Sequence, residues 1–113
     1  MPKVIVNYVE NICNPFMLEN GVSEYVDYCR KINRILESFI IADYISKDII
    51  IKVKAEIDTI ALFAEKRLPS IRGYWNKLQM LIPYLEIAID DGSTYSELET
   101  ANKAAEKILY GEE

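Results

Sequence analysis

Along this chain, apolar residues recur at steps of three and four, the spacing that gathers side chains onto one face of an α-helix. In residues 23–45 the series is Tyr25, Cys29, Ile32, Leu36, Phe39 and Ile40. Ser23 is the expected N-cap, because its hydroxyl can accept a hydrogen bond from a first-turn amide. After Ser46 a second series follows: Ile50, Val53, Ile57, Ile60, Ala61, Ala64 and Leu68. The triplet Ile49-Ile50-Ile51 has strand character, but the longer helical period around it prevails. Pro69 is the expected stop, since the residue before a proline is driven out of the helical region.

Ser70 opens a third helix whose apolar face holds Ile71, Tyr74, Trp75, Leu78, Leu81, Ile82 and Leu85. Pro83 has no amide to offer the carbonyl of Gln79, so a kink or break is expected there. Asp90-Asp91-Gly92-Ser93 reads as a turn. Thr94 and Glu97 then fit a capping box for a last helix through Leu98, Ala101, Ala105, Ile108 and Leu109. Gly111 is a fitting stop. The first dozen residues fit two patterns. Val4-Ile5-Val6 suits a strand, whereas Ile5, Tyr8, Val9 and Ile12 suit a short helix ending near Pro15. The fold expected is all-α: a bundle of four to five helices in a single domain, residues 1–113.

Composition narrows the chemistry. The 113 residues are half apolar and 27% charged, a globular balance. No window approaches the roughly 18 consecutive apolar residues of a membrane span, so a cytoplasmic protein with no membrane association is expected. There is no histidine. That removes Ser-His-Asp and Cys-His activation along with the commonest metal ligand, and the reading is not an enzyme. Cys13 and Cys29 match no metal spacing and are expected to be small buried hydrophobes. The Asp90–Ser93 turn lacks the alternating oxygen ligands of a calcium loop. No metal or cofactor is expected.

The net charge of −5 conceals a partition. Residues 1–29 carry one base and four acids, residues 30–77 ten bases and six acids, and residues 78–113 two bases and eight acids. The segment 66–79, KRLPSIRGYWNKLQ, holds Lys66, Arg67, Arg72 and Lys77 and no acid. On a helical wheel at about 100° per residue, Arg72, Asn76 and Gln79 share a flank beside the apolar face, and Lys77 projects to the other flank. Trp75 falls on the apolar face, which makes it a core anchor rather than a stacking platform.

The run Ile71-Arg72-Gly73-Tyr74-Trp75-Asn76-Lys77-Leu78-Gln79, preceded by Ser70, resembles a pattern in the small helical subunit of type III CRISPR effector complexes. The continuation Leu81-Ile82-Pro83-Tyr84-Leu85-Glu86-Ile87-Ala88 resembles that family's leucine-x-proline-x-leucine segment. The resemblance implies a non-catalytic helical subunit that packs against other protein subunits of a multi-subunit complex and lines the path of a target RNA. Arg72 would fork onto phosphate, with Asn76 and Gln79 bonding sugar or phosphate oxygens. Lys66, Arg67, Lys52 and Lys54 would be the supporting charges. Two features depart from the family: the chain is acidic where the family is generally basic, and Gly73 stands where the family often has a polar residue. The competing class is an acidic helical adaptor or inhibitor with no nucleic-acid role, which would use the carboxylates of residues 86–113 and the tyrosines Tyr84, Tyr95 and Tyr110.

Overall fold

A computed structural model of the chain describes residues 2–40 and 46–111. Among them are six helices and no strand: α1 (Pro2–Ile12), α2 (Pro15–Asn20), α3 (Val22–Glu37), α4 (Ser46–Glu65), α5 (Ile71–Ile89) and α6 (Tyr95–Tyr110). The all-α expectation holds, and the N-terminal segment takes its helical alternative. The helix beyond the expected four or five is α2. Its start is specified locally: the Asn14 side chain accepts from the Phe16 amide at 3.0 Å, and Pro15 occupies the first turn, where its missing amide costs nothing.

Helix boundaries correct three expectations. Ser23 lies inside α3, whose N-cap is Gly21 with no side-chain cap bond. The last residues of the 23–45 segment, 41–45, lie outside the described residues. Helix α4 stops before Pro69 has any influence. Arg67 takes φ 55° in the left-handed region, its amide bonds Ala64 O at 3.1 Å, and the Leu68 amide bonds Phe63 O at 3.0 Å. Those two bonds form a Schellman motif, normally built on glycine, and the turn carries Leu68 off the buried face to 38% exposure. Finally, of the kink or break expected at Pro83, the break does not occur: α5 is continuous from Ile71 to Ile89. Gln79 and Pro83 are both on the exposed side, so water can bond the carbonyl that the proline leaves without a partner.

The capping box on α6 forms as expected. Thr94 Oγ1 accepts from the Glu97 amide at 3.1 Å, and Glu97 Oε1 accepts from the Thr94 amide at 2.9 Å. The preceding turn is tied by Asp90 Oδ1, which accepts from the Gly92 amide at 3.0 Å.

Helix α4 packs against α3, α5 and α6, while α1 packs on α3 and α5. The smallest extent of the molecule, 19 Å, fits two layers of helices at about 10 Å each. One core joins the elements, built on fully buried Val9, Ile12, Leu36, Ile49, Ile57, Ile60, Leu78 and Leu85. At its edge, Trp75 Nε1–H donates to the Tyr25 hydroxyl at 2.9 Å, and that hydroxyl donates to Ile12 O. The Cys13 thiol donates to Trp75 O at 3.5 Å. Burial pushes the Cys13 thiol up to about 12, with help from nearby Glu10. Burial likewise pushes Cys29 up to about 12. Both thiols are buried and free, acting as small core hydrophobes.

Removing the indole should be costly. Trp75→Ala is expected to lose about 3–5 kcal/mol in denaturant unfolding, the range for aromatic truncation in a core. A second stability prediction concerns Glu56, which is buried and whose Oε2 has no hydrogen-bond partner. Desolvation raises its pKa, only partly offset by the Lys77 ammonium. A carboxyl raised in the folded state contributes stability below its unfolded pKa and loses it as pH climbs through the folded value. Glu56→Gln should therefore raise the thermal midpoint at neutral pH, with a gap that closes as pH falls below that raised value. A constant gap at every pH would contradict the burial.

Candidate nucleic-acid interface

The corner between α4 and α5 gathers the bases of the acid-free segment. Lys66 and Arg67 form the turn that follows α4, and Arg72 lies in the first turn of α5. All three side chains are exposed, and none of them forms an ion pair among the described residues. Arg67 points out of the Schellman turn in a conformation that costs a non-glycine residue roughly 1–2 kcal/mol. No acid stands in the first turn of α5, so the positive end of that helix adds to the cations.

From this corner an exposed track continues along α5 through Arg72, Asn76 and Gln79. The three share one flank, as their spacing predicts. Gly73 lies beside them, and a Cβ built on it would meet nothing within 4 Å. Packing therefore does not require this glycine. Its bare backbone lets a ligand approach next to Arg72.

Lys77 takes the other flank. It sits over the Tyr74 ring, 5.5 Å from its centroid, and Tyr74 meets Phe63 edge-on at 4.7 Å. This aromatic pair ties α5 to the last turns of α4 and fixes the corner.

Lys52 and Lys54 are not brought to this site. Lys52 donates to Asn102 Oδ1 at 3.0 Å and pairs with Glu106 at 3.8 Å, both on α6. Lys54 pairs with Glu37 on α3. Both lie roughly 20 Å from Arg67 at 1.5 Å per helical residue. Two positions apart on a helix, they face different neighbours and each is engaged within the fold.

A feature that the sequence did not reveal is a cleft of about 640 Å³ against the same corner. Pro15, Leu18 and Glu19 of the α2 segment and Val22 of α3 form one wall; Phe63, Arg67, Ile71, Arg72 and Trp75 are on the other. Its walls come from segments about fifty residues apart, so no local pattern announces it. The acidic groups Asp90, Asp91, Glu97 and Glu99 cluster at the opposite end of α5, about 27 Å from its start. That separation exceeds the Debye length of about 8–10 Å at ordinary salt, so the acidic end does not cancel the basic corner.

Among the described residues, no group of three or more His, Cys, Asp or Glu is placed to hold a metal ion. No helix among them is long and apolar enough to cross a membrane. No protein family, characterised protein or solved structure matches the chain.

Arg67 offers a test that separates site from scaffold. Arg67→Gly relieves the left-handed strain at the cost of some unfolded-state freedom, for an expected gain of about 0.5–1 kcal/mol in denaturant unfolding. The same substitution is expected to weaken binding of anionic ligands at the corner. Lower stability and unchanged anion binding would show that the residue serves the turn alone.

Proposed function

We propose that this chain is a non-catalytic, RNA-contacting subunit of a cytoplasmic ribonucleoprotein effector complex. The observation that carries the reading is the cluster of Lys66, Arg67 and Arg72 at one corner, without ion pairs among the described residues and continued by Asn76 and Gln79. Guanidinium groups fork onto phosphate oxygens, and the amides of Asn76 and Gln79 bond phosphate or sugar. The resemblance of residues 70–88 to the small subunit of type III CRISPR complexes supports the same role. None of these contacts needs a reactive nucleophile, in keeping with a chain that has no histidine.

The acidic end supports a second contact of a different kind. Asp90, Asp91, Glu97 and Glu99 are exposed beside Tyr95, which is 65% exposed. A basic protein neighbour complements this end, which leaves the opposite corner to the RNA. The purely adaptor reading uses the acidic end alone and gives the basic corner no task.

Backbone contacts carry little sequence information and release counterions, so RNA binding should tolerate base changes and fall steeply with salt. In the assembled complex, Arg72→Ala is expected to lower target-RNA affinity by about ten- to a hundredfold, the size of a charge-assisted contact, with an unchanged helical spectrum. Equal RNA affinity for the wild type and a Lys66→Ala, Arg67→Ala, Arg72→Ala triple variant would overturn the proposal.

A further inference from the structure

Building on the RNA-contact reading, we propose that the cleft beside the α4–α5 corner receives one unstacked base of a single-stranded RNA, with the flanking phosphates on Arg67 and Arg72. The composition of the cleft argues for this occupant. Its lining is mixed: the half-buried Leu18, Val22 and Phe63 and the edges of Ile71 and Trp75 supply apolar surface, and both guanidinium side chains line it. A nucleotide unit is complementary to that arrangement: a flat, weakly polar base carried between two anionic groups.

Duplex RNA does not exploit it. A duplex presents mainly phosphates and sugar hydroxyls to a protein and keeps its bases stacked inside. Such a ligand would use the arginines and leave the apolar walls against water. A single strand can turn a base inward, bury it on those walls and still place its phosphates on the cations. Base insertion of this kind is sequence-tolerant, because every base has an apolar face, and so it is consistent with weak sequence preference on the α5 track.

Among the described residues, Glu19 is the one carboxylate lining the cleft. It repels phosphate from the α2 wall, directing the backbone to the arginine side. It also supplies an acceptor for a base amino group or a ribose hydroxyl. The opening beside Gly73, where a Cβ would meet nothing within 4 Å, lets the strand pass from the cleft onto the Asn76 and Gln79 flank.

Trp75 is the only tryptophan in the chain and lines the cleft, so its emission reports on occupancy. The full chain would be titrated at low salt with a single-stranded RNA oligonucleotide, the same strand bearing abasic sites, and a duplex of equal length. The intact single strand is expected to change Trp75 emission and to bind about tenfold more tightly than the other two, the gain from burying one base against the apolar wall. Arg72→Ala should weaken all three. Equal affinity for the three, still dependent on Arg72, would overturn base insertion and leave the RNA-contact reading standing. Binding of none would overturn both. A change in Trp75 emission with an acidic aromatic peptide but not with RNA would assign the cleft to a protein partner and equally overturn the proposal.

Discussion

The hydrogen bond from the Trp75 indole to the Tyr25 hydroxyl is the tie on which the rest of the arrangement depends. The Tyr25 hydroxyl in turn donates to Ile12 O, so a single buried chain of hydrogen bonds joins α5, α3 and α1. Trp75 would otherwise carry a buried donor without a partner, a cost of about 1–3 kcal/mol. Because the bond fixes the rotation of α5, it also fixes which flank that helix shows to solvent. Arg72 precedes Trp75 by less than one turn, and its exposure follows from the burial of the indole. The same ring forms part of the cleft wall, so core and candidate site share a residue.

The corner is held by local chemistry as well. The Schellman bonds end α4, the Phe63–Tyr74 contact fastens its last turns to α5, and Pro69 follows in the connection. An arginine sits where glycine is the usual choice, at a cost comparable to a fair share of the marginal stability of a small domain. Strain of this kind needs a reason, and a cation pointed outward from a rigid turn provides one. Charge then follows geometry: the acids of residues 90–99 lie at the far end of α5, beyond the reach of screened electrostatics. Nearer acids are present too: Asp27 and Glu65 line a pocket with Arg67, and Glu19 lines the cleft, so the cations of the corner stand among carboxylates without pairing to them among the described residues.

Much of the architecture was legible because helical periodicity is a long signal. The faces of α3, α4, α5 and α6 emerge from their apolar spacing, and the Thr94–Glu97 box marks a start by residue type alone. Helix α2 escapes because six residues are too few for a period to show, although Asn14-Pro15 carries the cap chemistry. The end of α4 was misplaced because its left-handed residue is Arg67, and only a glycine there would have advertised the turn. The Arg72, Asn76 and Gln79 flank was legible from a helical wheel. Lys52 and Lys54 were not, because pairing with Glu106 and Glu37 depends on which helices become neighbours. The cleft was invisible for the same reason: α2 reaches α4 and α5 only through the tertiary fold.

The central claim is that one corner of the molecule, and not its acidic end, meets RNA. Amide chemical-shift mapping of the labelled chain against single-stranded RNA tests this residue by residue and detects weak association. The account predicts that the perturbed amides cluster in residues 63–79 and around Leu18 to Val22, while those of residues 90–107 stay unchanged. Perturbations confined to the acidic end, or none at RNA concentrations that would saturate a weak site, would contradict it.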